Sequence, residues 1–183
     1  MTDVSLSGTT LVLGPSNAGK TRLTATALET WVERNGATGV VVLEFGPELE
    51  RDGRVLGGRL TRFTTVPDDA WHGVLDAHAP RAASADDAGA LERAADNARR
   101  AATVLEAAPD RPRAVFVNDA TIPFQHPAGD VAAMTDYCDR ADVAVLNALE
   151  SDELGRHDPV SRREQEVLGA LRTWADRVRV LGD

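Results

Sequence analysis

Lysine is nearly absent from this 183-residue chain: 19 of its 20 basic residues are arginine, and only Lys20 is lysine. Cysteine is equally scarce, so the lone Cys138 cannot close an internal disulfide and reads as a small core residue. With four scattered histidines and no second thiol, the sequence offers no cluster of metal ligands. Long apolar runs are missing as well. None approaches the ~18 residues of a membrane span, and the start, Met1-Thr-Asp-Val, lacks the basic-then-apolar pattern of a secretory leader. The expectation is a cytoplasmic chain with no membrane partner. Positive charge is in deficit too, 20 basic against 29 acidic residues for a net charge of −9, which repels phosphate backbones and argues against nucleic-acid binding by the general surface.

What is present is an ordinary globular composition, 43% apolar and 27% charged, in a length suited to one domain over residues 1–183. Asp outnumbers Glu by 18 to 11, which with the arginine bias suits an acidic proteome from a GC-rich or salt-adapted host. Against that bias Lys20 stands out. It is a compact ammonium on a flexible stem in a chain that otherwise uses the guanidinium fork.

Apolar patterning alternates between short and long periods along the chain. Thr9–Leu13 reads as a buried strand, and helical spacing runs from Gly19 to Arg34 through Leu23, Ala27, Leu28 and Trp31. Gly39–Phe45 is the clearest strand, and Arg59–Thr65 a weaker one. Pro67-Asp-Asp reads as the start of a helix over Ala70–Ala79, and Ser84–Ala108 as a long Ala-rich helix. Strand Arg113–Val117, helix Gly129–Arg140 and strand Asp142–Leu146 follow. Ser161-Arg-Arg-Glu164 has the spacing of a capping box, opening a helix through Val167, Leu168, Leu171 and Trp174 before a closing strand Arg177–Leu181. Strands alternating with helices imply an α/β fold, a three-layer α/β/α sandwich on a mostly parallel sheet of about five or six strands. Trp31, Trp71 and Trp174 are expected in the core. Pro47–Gly58 and Leu149–Pro159 are the expected long loops.

Chemistry concentrates at Gly14-Pro15-Ser16-Asn17-Ala18-Gly19-Lys20-Thr21, placed between a strand and a helix. Glycines let backbone approach a phosphate, and the amides of Asn17 through Thr21 face an anion at the helix N-terminus, where the dipole favours it. The motif resembles that of the P-loop NTPase superfamily. The resemblance implies that Lys20 reaches the β- and γ-phosphates and that Thr21 binds Mg2+. It also implies an acidic residue after a second buried strand, for which Asp119 is the candidate, with Asn118 in the place just before it where the acid often sits. Glu44 ends the strand after the first helix, in a position similar to the water-orienting Glu of RecA-like ATPases, and Mrp/MinD-like proteins end that strand with an acid as well. A charge there is expected to face the cleft.

Weaker signals surround this core. Asn147-Ala-Leu-Glu150 is loosely similar to the guanine-reading motif of GTPases, with Lys absent and Glu in place of Asp. Arg156, His157, Arg162 and Arg163 form the densest basic patch, read either as an arginine-finger source or as a solvated face pairing with Glu164, Glu166 or Asp158. His72, His78 and His126 show no partner in the sequence. Three functions follow as expectations. One is a Mg2+-dependent NTPase, with ATP ahead of GTP, acting as a conformational or partner switch in a homo-oligomer or with a protein partner. The second is a small-molecule or nucleotide kinase, since the loop is also similar to guanylate kinase loops. The third is a GTPase or a non-hydrolysing nucleotide-binding regulator.

Overall fold

In the computed structural model, which describes residues 4–51 and 53–182, β1 (Gly8–Gly14) is followed by helix α1 (Lys20–Asn35) and strand β2 (Val40–Glu44). The segment after β2 carries a short hairpin of β3 (Leu49–Arg51) and β4 (Arg54–Leu56), then a 3-10 turn at Leu60–Arg62. Strand β5 (Trp71–Val74), helix α2 (Asp87–Ala107) and strand β6 (Ala114–Asn118) come next. Helix α3 (Val131–Cys138), strand β7 (Val143–Leu149), helix α4 (Pro159–Trp174) and strand β8 (Arg177–Val180) complete the chain. Six strands form one parallel sheet in the order β5-β2-β6-β7-β1-β8. This is the α/β sandwich that the alternation of strand and helix patterns implies.

Side-chain alternation along each central strand divides the interior in two. Leu11, Leu13, Val41, Leu43, Val115, Val117 and Leu146 face one core, which Met134, Cys138, Ala101 and Leu171 of α2, α3 and α4 complete. Val12, Val40, Val42, Phe116, Val143 and Val145 face the other, closed by Ala27, Leu28 and Trp31 of α1. One helix therefore covers one face and three cover the opposite face. Both faces being covered is why the central strands read as continuous apolar runs. Cys138 lies fully buried in the larger core, and burial drives its thiol pKa upward. Trp31 is buried as expected, whereas Trp174 is half-buried at the surface, its indole N–H donating to Asp139.

Four local expectations differ from the structure. The helix expected over Ala70–Ala79 is instead edge strand β5, pairing Trp71 through Val74 with Val41 through Glu44. Trp-His-Gly-Val is β-prone, and Gly73 both weakens a helix and makes room where an added Cβ would lie 2.5 Å from the Trp71 ring. The weak strand expected over Arg59–Thr65 is a 3-10 turn, because the Leu60 N–H is turned inward onto Glu44. The Ser161–Glu164 capping box is not formed either. Asp158 caps α4 by accepting from the Ser161 N–H at 2.9 Å, Pro159 takes the first turn, and Glu164 turns inward. The Pro47–Gly58 segment, expected as loop, contains the β3–β4 hairpin. Among the described residues no helix is long and apolar enough to cross a membrane.

The segment between β5 and α2 reaches over the carboxyl ends of the strands and is tied down by one fully buried side chain. Asn97 of α2 accepts from the His78 N–H at 2.9 Å and donates to the His78 carbonyl at 3.0 Å, as a paired strand would. Asn97→Ala leaves both backbone groups unpaired, which at about 1–3 kcal/mol for an unsatisfied buried group should lower unfolding stability by about 2–3 kcal/mol. Urea denaturation reads this directly, and a loss under about 0.5 kcal/mol would contradict the clamp.

Candidate functional site

Parallel pairing brings the ends of four strands to one edge of the sheet. Glu44 lies beside Asn118, and Gly14 beside Leu149. Above that edge opens a cleft of about 700 Å³, within the usual size range for small-ligand sites. Its floor is Ser16, Asn17, Ala18, Gly19, Lys20 and Thr21.

The backbone of this loop is bent where its composition permits. Gly19 (φ 89°) and Asn17 (φ 63°) take left-handed conformations that glycine adopts freely and asparagine tolerates. At Gly14 a Cβ would lie 2.6 Å from the Leu181 carbonyl oxygen, so only glycine lets the loop leave β1 this close to the chain end. Helix α1 starts from Gly19 with no side chain capping its first N–H groups and no acidic residue in its first turn. For a helix of this length the terminus carries about half a positive charge, with no acidic side chain in its first turn to match it. Lys20 adds to it. Its stem is buried, its ammonium donates to the Pro15 carbonyl at 2.6 Å, and burial lowers its pKa while Asp119 and Glu153 pull it back up.

Beneath the loop lies a buried amide network. The Asn118 Oδ1 accepts from the Thr21 hydroxyl at 3.2 Å and from the Asn147 Nδ2 at 3.1 Å. Its Nδ2 donates to the Gly58 carbonyl at 2.7 Å and to Glu44 Oε2 at 3.1 Å. Asn147 also donates to the Thr24 hydroxyl and accepts from the Asp119 N–H. Residue 118, just after the apolar run, is therefore the one that touches Thr21. Asp119 turns away in a left-handed conformation (φ 56°) and lines the cleft. Gly46 makes its space, since a Cβ there would lie 2.2 Å from Asp119 Oδ2. Burial pushes the Asp119 carboxyl up to about 6, with Lys20 opposing and Glu164 adding to the shift.

Glu44 does not line the cleft. It is fully buried below it, accepting from the Leu60 N–H at 2.8 Å as well as from Asn118, with His72 Nε2 at 3.9 Å. Burial outweighs those bonds and the nearby Arg59 charge, raising its pKa to about 7. Burial likewise lowers the pKa of His72, with Arg59 acting in the same direction.

The opposite wall has a charged pair that sequence reasoning did not find. Arg81 Nη2 lies 2.6 Å from Glu164 Oε2, and Arg81 Nη1 donates to the Ser161 hydroxyl at 2.9 Å. Glu164 Oε1 accepts from the Thr121 hydroxyl at 2.8 Å and Gln125 Nε2 at 2.9 Å. Arg81, Thr121, Gln125 and Glu164 all line the cleft. The available signal was Glu164 itself, a carboxylate on the apolar side of the last helix.

The remaining candidates lie elsewhere. Asn147 is fully buried within the network, and Glu150 pairs with Arg172. Arg156, Arg162 and Arg163 are not among the cleft-lining residues; Arg156 pairs with Asp152 in the loop before α4 and Arg163 with Glu166 at 3.0 Å on the helix, surface contacts of low energetic weight. His78 pairs with Asp96 at 2.9 Å, and His126 accepts from the Ala128 N–H. Among the described residues no three His, Cys, Asp or Glu side chains gather to cage a metal. The Thr21 hydroxyl and the Asp119 carboxylate are hard oxygen donors of the kind that suits Mg2+ held by few protein ligands, waters and phosphate. Comparison with protein-family models and with the sequences of curated proteins finds no match to this chain.

The raised pKa of Glu44 has a signed consequence. Between pH 4.5, where an unfolded-chain Glu ionises, and about pH 7, the folded chain holds a proton that the unfolded chain has lost. Its contribution to stability is complete below that window and declines as pH rises through it, by up to ~3 kcal/mol at ~1.4 per pKa unit. Glu44→Gln should flatten this decline when urea midpoints are compared at about pH 5 and about pH 7.5. Parallel pH profiles for the two proteins would contradict it.

Proposed function

We propose that the cleft binds a nucleoside triphosphate with Mg2+, as in P-loop NTPases, and that turnover of the γ-phosphate switches the conformation or partners of this protein. The observation that carries the reading is the Gly14–Thr21 loop. Strand β1 ends in it, an uncapped helix of 16 residues begins from it, and the only lysine of the chain stands at the junction. The first N–H groups of that helix have no side-chain acceptor, and a bound phosphate would supply one.

In this reading the loop amides hold the phosphates and Lys20 exchanges the Pro15 carbonyl for the β- and γ-phosphates. Thr21 and Asp119 hold the metal, which when bound supplies charge neutralisation and Lewis-acid polarisation of the phosphoryl oxygens. The switch has a physical basis in the network. Thr21 and Gly58 share Asn118 as partner, and Glu44 holds both Asn118 and Leu60. A ligand that takes the Thr21 hydroxyl therefore alters what holds the segment around Gly58 and Leu60 at the cleft edge. Such a switch calls for a receiver, a second copy of the chain or a protein partner.

A second reading, a kinase, is favoured by the wall of Arg81, Thr121, Gln125 and Glu164 facing the same cleft, where a phosphate acceptor would lie. Because Asn147 is engaged inside the network, the described residues give no reason to place GTP ahead of ATP.

Mg2+-dependent phosphate release, measured with ATP and with GTP separately, tests the reading. Release without an acceptor is expected. It should fall by at least about 100-fold in Lys20→Ala and in Asp119→Ala, the scale on which one preorganised electrostatic contact acts in catalysis. Tight binding without release would support the kinase reading, and unchanged ATP affinity in Lys20→Ala would refute the site.

A further inference from the structure

Among the described residues few large apolar side chains are left exposed, and Phe63, at 43% exposure, is one that lines the cleft. Its position is not that of a loose loop tip. The Phe63 N–H donates to the Leu60 carbonyl at 2.8 Å, closing the 3-10 turn, and Leu60 is itself fully buried with its N–H on Glu44. The backbone is fixed while the ring stands open to solvent. Arg22 lies over one face of it, the guanidinium carbon 5.3 Å from the ring centroid, and lines the cleft too.

The order of groups along the loop orients any triphosphate it holds. Lys20 serves the β- and γ-phosphates, Thr21 the metal between them, and the amides at the start of the helix the α-phosphate. The nucleoside then leaves the cradle past Thr21, over the next residue in the helix, Arg22. Among the described residues two large exposed apolar side chains line the cleft, Phe63 and Leu154, each 43% exposed, and Phe63 is the aromatic one and the one in contact with Arg22. With the guanidinium over one face of the ring, a base stacks on the other, favoured by both the aromatic face and the cation.

We infer that Phe63 is the stacking platform for the nucleobase, steadied by Arg22. The inference rests on the nucleoside-triphosphate reading above. Stacking reads the face of a base rather than its hydrogen-bonding edge, so ATP and GTP bind with affinities within about threefold of each other.

The test compares Mg2+-ATP, Mg2+-GTP and inorganic tripolyphosphate, which has the phosphates and no base, by calorimetry. Phe63→Ala and Phe63→Leu should lose about tenfold in affinity for ATP, the scale of one stacked base, and keep their affinity for tripolyphosphate. Phe63→Tyr should retain ATP affinity within about threefold, because the aromatic face is preserved. Its 43% exposure means that none of these substitutions empties the core. Unchanged ATP affinity in Phe63→Ala, an equal loss for ATP and tripolyphosphate, or strong preference for one purine overturns the stacking platform alone. A wild-type protein that binds neither ATP nor tripolyphosphate overturns the nucleotide reading and this inference with it.

Discussion

The carboxamide of Asn118 is the interaction on which the rest of the site depends. It is fully buried, and it joins the glycine-rich loop through Thr21, strand β7 through Asn147, the cleft edge through Gly58, and strand β2 through Glu44. Two of these partners are donors and two are acceptors, which matches the capacity of a carboxamide. A carboxylate in its place would face Glu44 and a carbonyl oxygen with no proton to offer, leaving buried like charges unpaired. The amide therefore permits Glu44 to remain beneath the cleft, and Asp119, displaced one residue onward, becomes the acid that faces Lys20.

Burial explains why these polar groups must be so fully engaged. An unpaired polar group at this depth costs on the order of 1–3 kcal/mol, a large share of a domain's net stability of about 5–15 kcal/mol. The same reasoning covers the Arg81–Glu164 pair, which Ser161, Thr121 and Gln125 surround with hydrogen bonds. Such pairs are weak evidence for stability, because desolvation offsets attraction. Their presence in the wall of a cleft is better explained by what the cleft holds. Under the proposed reading, a cationic floor takes phosphate, a polar wall faces the reacting end, and Phe63 and Arg22 take the base.

Much of this is legible in the sequence because it rests on local rules. The continuous apolar runs through Val41, Val115 and Val145 mark strands covered on both faces, and Gly14 to Thr21 marks the strand-to-helix junction. What is not legible depends on partners far along the chain. Leu60 turns inward because Glu44 waits 16 residues earlier, and Glu164 abandons a capping role for Arg81, Thr121 and Gln125. Trp71–Val74 becomes a strand because the edge of β2 is open beside it. Asn118 reads as a misplaced acid until its four partners are seen. In each case a tertiary hydrogen bond outweighs a local propensity of a few tenths of a kcal/mol.

Under the proposed reading, the loop from Gly14 to Thr21 is an anion cradle whose occupancy is felt through Asn118. Backbone amide NMR of the wild-type protein titrated with Mg2+-ATP tests this most directly. The amides of Asn17 through Thr21 should shift first and most, together with the side-chain amide of Asn118 and the Leu60 N–H. Shifts confined to other surfaces, or a spectrum unmoved at millimolar nucleotide, would contradict it.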